Sequence, residues 1–272
     1  MKKTLISLFA AAALVPLQAA AADLITAELK PATVEAFDAY MRKAEARIEA
    51  QAHGASFLWV DSAPDRKRPV AAGRAIAEPF AGTGETEIAG GLIHDWIGAV
   101  FIAGATLDRV LAFVEDYDNH KNFYKPEVVD SKTVSHSGDQ YAVFLRLLKK
   151  KVLTVTLDTN HDVRYFRVDA KRAYSRSYST RVAEVENAGA PGERELPPGK
   201  DHGFLWRLDS FWRFEERDGG VYVECEAISL TRNVPAGLGW LIEPIIRSLP
   251  RESLEATLAE TRQGLSGTSR GK

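Results

Sequence analysis

The segment from Phe204 to Arg232 contains a two-residue turn that constrains how its strands can pair. The turn is Asp218-Gly219, and apolar and polar residues alternate on both sides of it. A two-residue loop of this kind is a strong hairpin signal, because both central residues tolerate positive φ. Pairing Arg217 with Gly220 therefore predicts two antiparallel strands of about ten residues each.

This register places the side chains on two different faces. The apolar face carries small residues near its middle and consists of Trp206, Leu208, Ser210, Trp212, Phe214, Val223, Cys225, Ala227, Ser229 and Thr231. The other face is largely charged, with Arg213 opposite Glu224 and with Glu226 nearby. We therefore expect Trp212 to be buried, Glu224 to be exposed, and the small residues to leave room for something to lie against the sheet.

The first residues have the pattern of a secretory signal peptide. Met1-Lys2-Lys3 precedes an apolar run from Leu5 to Leu17, and alanines follow at 19–22. The run is shorter than the ~20 residues of a typical transmembrane helix. We expect residues 1–22 to be removed and the protein to be periplasmic or secreted, with no stable membrane span after removal.

The charge balance argues against a nucleic-acid partner. Lys and Arg number 35 against 37 Asp and Glu, which gives a net charge of −2, whereas nucleic-acid-binding domains are commonly basic. The densest basic run, Lys149-Lys150-Lys151, lies between two predicted strands and is interpreted as a solvated turn or strand edge. The single cysteine, Cys225, excludes an intramolecular disulfide. No oligomeric state is predicted.

Hydrophobic periodicity and turn residues predict the other elements. Pro31 to Ala52 has an apolar stripe at helical spacing, and residues 61–84 are rich in Pro, Gly and charge, as in an irregular linker. The next elements are a strand at Ile88–Ile102, a short helix at Thr106–Asp116, and strands at Gln140–Lys149, Val152–Tyr165 and Arg172–Val185.

The segment from Pro235 to Gly264 predicts two helical pieces separated at Pro250, which interrupts the helical hydrogen bonds. A strand, a short helix, a run of antiparallel strands and a long final helix form an α+β order rather than an alternating βαβ order. We therefore expect a curved antiparallel sheet gripping a long C-terminal helix, with an N-terminal helical extension.

This order resembles the START-like or helix-grip superfamily (SRPBCC) of lipid-transfer domains, polyketide cyclases and coenzyme-Q-binding proteins. The resemblance is closest to secreted bacterial members of unassigned function. It is carried by the strand Gly203-Phe-Leu-Trp206, the hairpin at Asp218-Gly-Gly220, and the runs Leu92-Ile-His-Asp-Trp-Ile-Gly98, Asp116-Tyr-Asp-Asn-His120 and Pro250-Arg-Glu-Ser-Leu254. We expect a signal peptide at 1–22, a helix and linker at 23–84, a START-like ligand-binding domain at 85–266 and a disordered tail at 267–272.

The favoured hypothesis is that a hydrophobic small molecule binds between the sheet and the C-terminal helix. The resemblance suggests a lipid, an isoprenoid quinone or a polyketide-like compound. The candidate ligand-binding residues are Trp96, His161, Trp206, Ser210, Trp212, Phe214, Ala227, Leu241, Ile245 and Leu249.

Two alternatives remain open at this stage. One is an enzyme of the cyclase, hydratase or hydrolase type that uses His161 or His94 as a general base. The other is an interaction module whose interior is filled. No cofactor and no metal is expected, since the possible calcium loop that starts at Asp116 has Lys121 where a glycine is required. Tyr174, Arg176 and Tyr178 are predicted to line the cavity or to face solvent.

The export signal makes a testable prediction. Protein recovered from the cell-envelope or culture fraction is expected to begin near Asp23, because the small residues before it suit signal cleavage. N-terminal sequencing measures this directly, and an intact Met1 on soluble cytosolic protein would contradict it.

Overall fold

The computed structural model describes residues 26–54, 56–151, 153–234, 247 and 249–267. The helices in these ranges are α1 (Pro31–Ala52), α2 (Pro64–Ala71), α3 (Leu107–Val114), α4 (His120–Phe123) and α5 (Leu249–Gly267). The strands are β1 (Ile76–Pro79), β2 (Glu85–Ile88), β3 (Gly91–Ala103), β4 (Val128–Ser137), β5 (Gln140–Lys150), β6 (Thr154–Arg167), β7 (Arg172–Glu186), β8 (Arg194–Glu195), β9 (Arg207–Arg217) and β10 (Gly220–Thr231). The predicted signal peptide and residues 235–246 of the first piece of the C-terminal helix lie outside the described residues.

The strands form one antiparallel sheet in the order β1-β3-β10-β9-β7-β6-β5-β4, with β2 beside β3 and β8 beside β7. Helix α5 packs against β3, β1 and β10 on one face of the sheet, which we call the inner face. Helix α1 covers the opposite, outer face through Phe37, Met41 and Ile48. The predicted α+β class is confirmed: one antiparallel sheet carries the C-terminal helix on its inner face and the N-terminal helix on its outer face.

The hairpin around Asp218-Gly219 has the predicted register. Arg217 pairs with Gly220, and the pairing continues without a shift to Arg207 and Leu230. Asp218 has φ 56° and Gly219 has φ 78°. Both central residues therefore occupy the left-handed region that a tight two-residue turn requires.

Two predicted boundaries differ from the structure. The segment 61–84 is not irregular throughout, because it contains α2 and β1, and β1 pairs with β3. Gly98 permits this close packing, since a Cβ there would lie 2.5 Å from the carbonyl oxygen of Ile76 and 2.7 Å from Cδ1 of Leu258. The predicted strand at Ile88–Ile102 is a hairpin, with β2 ending at Ile88 and β3 beginning at Gly91.

The prediction that Glu224 is exposed is wrong. Its side chain has 0% relative exposure. The carboxylate accepts hydrogen bonds from the backbone N–H groups of Trp59 and Val60 at 2.9 and 2.7 Å. Nε of Arg213, which is 1% exposed, donates to it at 3.3 Å. The cross-strand pair exists as predicted, but the segment that follows α1 covers it.

Helix α1 is held on the outer face by polar contacts as well as by apolar packing. The guanidinium of Arg47 donates two hydrogen bonds to Glu226, whose side chain is fully buried. The hydroxyl of Tyr40 donates to Oδ2 of Asp95 at 2.7 Å. The charged residues of this face therefore bind the N-terminal extension instead of facing solvent.

Because the Arg213–Glu224 pair is buried, we expect removal of the Glu224 carboxylate to lower the stability of the protein strongly. Glu224→Gln is expected to lower the free energy of unfolding by about 3 kcal/mol, because a buried arginine is left without a counter-ion. Urea unfolding measures the change. In the matched control Glu186→Gln, which removes an exposed pair with Arg194, no measurable change is expected. Equal unfolding midpoints for the two variants would contradict this assignment.

Candidate ligand cavity

A cavity of about 280 Å³ lies between the inner face of the sheet and helix α5. Strands β4, β5, β6, β7, β9 and β10 provide its sheet wall. Helix α5, the end of α3, the segment between α3 and β4 and the residues just before β9 provide the remainder. The wall is mostly apolar, with side chains such as Val128, Leu145, Leu157 and Phe204. A mostly apolar cavity with a few polar groups is typical of small-molecule sites.

Five of the predicted ligand-binding residues line this cavity: His161, Ser210, Trp212, Ala227 and Leu249. Alternation along the strands brings the first four to the inner face, and Leu249 begins α5. Trp212 is only partly buried because it borders the cavity, and its ring stacks on Phe214 with centroids 6.1 Å apart. A role for these residues in ligand binding stays a prediction.

The other predicted residues lie elsewhere. Phe214 is fully buried in the main core and Trp96 packs against that core, but neither lines the cavity. Trp206 lies in the cluster that packs α1 on the outer face, and its Nε1 donates to Asp201 at 3.1 Å. The predicted facing of Trp206 is wrong because β9 begins only at Arg207, so strand alternation does not extend to it. Leu241 and Ile245 lie outside the described residues.

Several lining residues were not predicted. Tyr117, His120 and Tyr124 come from the segment between α3 and β4. The run Asp116-Tyr-Asp-Asn-His120 indicated this segment, but no local pattern shows which of its side chains reach the sheet. Asp118, one of the residues of the possible calcium loop, forms a different contact: its carboxylate accepts a hydrogen bond from the backbone N–H of Thr133 at 3.0 Å. Among the described residues, no group of His, Cys, Asp or Glu is arranged to hold a metal ion.

Most aromatic hydroxyls and one imidazole of the lining already have partners. The hydroxyls of Tyr117 and Tyr165 are 2.7 Å apart, and that of Tyr124 lies 3.1 Å from Oγ1 of Thr261. Nε2 of His120 lies 3.0 Å from the carbonyl oxygen of Val114 and donates to it. These contacts hold the wall together and leave few polar atoms free for a ligand.

Charged groups lie together at one part of the lining. The Nζ atom of Lys149 contacts the carboxylate of Glu127 and Oγ of Ser253, the latter at 2.7 Å. Burial, together with the nearby charge of Glu127, raises the pKa of Glu260 to about 7. Lys149 therefore belongs to the cavity wall, which corrects its interpretation as a solvated residue, whereas Lys150 and Lys151 are exposed at the end of β5 as predicted.

The two histidines considered as general bases have different positions. Nε2 of His161 lies 3.0 Å from Oγ1 of Thr159 within the lining. His94 is fully buried, contacts Oγ1 of Thr231 at 3.1 Å and does not line the cavity. Burial lowers the pKa of each imidazole to about 4. Neither forms a hydrogen bond with a carboxylate of the described part, the contact that commonly orients a catalytic histidine.

Alternate side chains of β7 lie on opposite faces of the sheet. Tyr174 and Tyr178 pack on the outer face, and Arg176 pairs with Glu49 of α1. Tyr174, Arg176 and Tyr178 therefore do not line the cavity, which was one of the two predictions for them. Ser175 and Ser177, on the other face of β7, do line it. Cys225 also borders the cavity, and burial raises the pKa of its thiol well above the usual range.

Comparisons with known proteins show similarity at the level of the fold. No protein-family model matches the sequence, and no curated protein matches it. A solved structure from Thermus thermophilus is 16% identical over 64% of this chain and 97% of that chain, with a TM-score of 0.46. A STAR-related lipid transfer protein from Xanthomonas axonopodis is 17% identical over 67% of this chain and 99% of that chain, with a TM-score of 0.45. The Zhui aromatase/cyclase from Streptomyces is 13% identical over 66% of this chain and 97% of that chain, with a TM-score of 0.39.

Within the described part of the chain, none of the helices is long and apolar enough to cross a membrane.

The environments of His161 and His202 predict opposite shifts of their pKa values. Burial holds the pKa of His161 at about 4, so its ring signals are expected to stay constant in an NMR titration from pH ~7.5 to pH ~5.5. His202 contacts Glu184 at 2.8 Å, which raises its pKa, so it is expected to titrate above the usual value for histidine. Protonation of His161 within that range would show that its ring is hydrated.

Proposed function

We propose that this protein binds a hydrophobic small molecule in the cavity between the sheet and α5. The observation that carries the proposal is the cavity itself, whose wall is mostly apolar. Transfer of an apolar ligand from water into such a wall is favourable by about 25 cal/mol per Å² of buried apolar surface. A lipid, an isoprenoid quinone or a polyketide-like compound has the required chemistry.

Small residues of the sheet provide the space for this ligand. Ala227 pairs with Ser210 in the hairpin and is followed on the same face by Ser229, and all three border the cavity. Large side chains at these positions would extend from the sheet toward α5 and occupy the volume. Backbone hydrogen bonds pair β9 with β10, and substitutions at these three positions do not remove them. The volume of the cavity can therefore be changed while the strand pairing is kept.

Export of the protein is part of the same proposal. The signal-like pattern before Asp23 supports a periplasmic or secreted location. An apolar compound is poorly soluble in these aqueous compartments, so a protein that encloses it allows it to cross them. The hydrogen bonds of His161 and His94 give no specific support to the alternative of acid–base catalysis.

Filling the cavity is expected to prevent binding. Ala227→Trp should reduce uptake of diphenylhexatriene, an apolar dye without hydrogen-bonding groups, by about tenfold or more, because the indole would occupy the ligand volume. Dye fluorescence measures uptake, and circular dichroism with urea unfolding checks that the variant is folded.

The matched control adds the same side chain outside the cavity. Val129→Trp changes a residue of β4 that is 44% exposed and is expected to leave dye uptake unchanged. If Ala227→Trp does not fold, Ser229→Leu on the same face replaces it. Unchanged dye affinity in a folded cavity-filling variant would contradict the proposed site.

A further inference from the structure

His161 has an unusual place among the polar groups of the cavity. It lies near the middle of β6, and the register between β6 and β7 shifts beside it, between Asn160 and His161. Such irregularities redirect side chains and are common next to binding sites. Its side chain is almost completely buried, yet Nδ1 has no hydrogen-bond partner in the described part of the chain.

A buried nitrogen without a partner is unfavourable, because it has lost its hydration and gained nothing in return. Native structures seldom leave such an atom unsatisfied unless a ligand or an ordered water meets it. The tyrosine hydroxyls and His120 in the same wall are already paired. The Nδ1 atom of His161, a residue of the cavity lining, is therefore a polar atom to which the described part of the protein supplies no partner.

The hydrogen bonds around Thr159 determine which ring nitrogen of His161 carries the proton. The hydroxyl of Thr159 has one hydrogen, which it donates to the carbonyl oxygen of Leu145 at 3.0 Å. Its oxygen must then accept the hydrogen bond from Nε2 of His161, 3.0 Å away. The imidazole carries its proton on Nε2, so Nδ1 is an acceptor.

Burial favours the neutral imidazole. Its pKa is lowered to about 4, so at neutral pH the ring does not take up a second proton that would convert Nδ1 into a donor. A ligand group that meets Nδ1 must therefore bring a hydrogen of its own. Ethers, esters and quinone carbonyls offer only acceptors, whereas alcohols and phenols offer a donor.

Neighbouring serines suit the same polar group. Ser177 on β7 pairs with Ser210 on β9, and both border the cavity. Ser177 also pairs with Val163, which lies two residues after His161 on the same face of β6. Serine hydroxyls both donate and accept, so they can meet the oxygen of a group whose hydrogen is directed at the imidazole.

We propose that the ligand is an otherwise apolar molecule with a hydroxyl group, and that Nδ1 of His161 accepts the hydrogen bond from this hydroxyl. The candidates are long-chain alcohols, polycyclic alcohols and phenols, including the reduced, hydroquinone form of a quinone. The inference rests on the proposed function, since it specifies the polar group of a ligand held in the same cavity.

The test compares two competitors with the same alkyl chain, of which only the alcohol carries a hydrogen-bond donor; the extra methyl group of the ether favours the ether and so cannot produce a preference for the alcohol. Tetradecanol is expected to displace diphenylhexatriene from the protein at a concentration about fivefold lower than tetradecyl methyl ether, which corresponds to ~1 kcal/mol for one hydrogen bond. His161→Phe keeps a ring in the wall but removes the acceptor, so the dye should still bind and the preference for the alcohol should disappear.

Two further variants separate the role of His161 from a general change in the cavity. His136→Phe makes the same substitution at an exposed histidine that does not line the cavity, so the preference for the alcohol should remain. Thr159→Val removes the acceptor that holds the proton on Nε2, so the preference should weaken. In histidine-labelled wild-type protein, the ¹⁵N signal of Nδ1 is expected to shift with tetradecanol and not with its ether.

The outcomes distinguish the two proposals. Equal displacement by alcohol and ether from a protein that binds the dye would overturn the hydroxyl inference and leave the proposed function standing. A preference that persists in folded His161→Phe would overturn the role of this residue. If His161→Phe does not fold, the NMR comparison decides, and identical Nδ1 signals with both compounds would refute the contact, as expected if an ordered water occupies this position. Failure of wild-type protein to take up the dye would contradict both proposals.

Discussion

The pairing of β9 with β10 determines what lies on each side of this protein. Because side chains alternate along a strand, one register directs Ser210, Trp212 and Ala227 to the cavity and directs Arg213 and Glu224 to α1. A shift of one residue would exchange the two sets and place charges in the cavity. The turn at Asp218-Gly219 prevents such a shift, since its two positive φ angles connect the strands in one alignment.

Both faces of the central strands are buried, but by different means. The inner face meets α5 and the cavity through apolar and small side chains. The outer face is covered by α1 and the segment after it, where two buried carboxylates have specific partners: Glu224 with Arg213 and two backbone N–H groups, and Glu226 with Arg47. Such pairs contribute little net stability when intact but are costly to break, so displacing the N-terminal extension would leave buried charges without partners.

Polarity is distributed unevenly within the cavity. Lys149, Glu127 and Glu260 form a charged region near the end of β5 and the middle of α5. His161 provides a neutral, acceptor-only position on the sheet wall between apolar neighbours such as Val143 and Val163. The ligand that we propose has a largely apolar body, and its hydroxyl would be held at His161 by directional contact rather than by charge.

The sequence by itself determined the elements that local signals encode. The helix at Pro31–Ala52, the hairpin register, the paired strands β5 and β6, and the inner facing of His161 and Ala227 follow from periodicity and turn residues. Only the tertiary structure decided what covers each face: Glu224 is buried because a distant segment donates to it, and Trp206 packs on the outer face because β9 begins after it. The proton position of His161 likewise depends on Thr159 and on the carbonyl of Leu145 from the neighbouring strand. Alternation fixes the direction of a side chain within its own strand, whereas burial and hydrogen bonding depend on residues that only folding brings near.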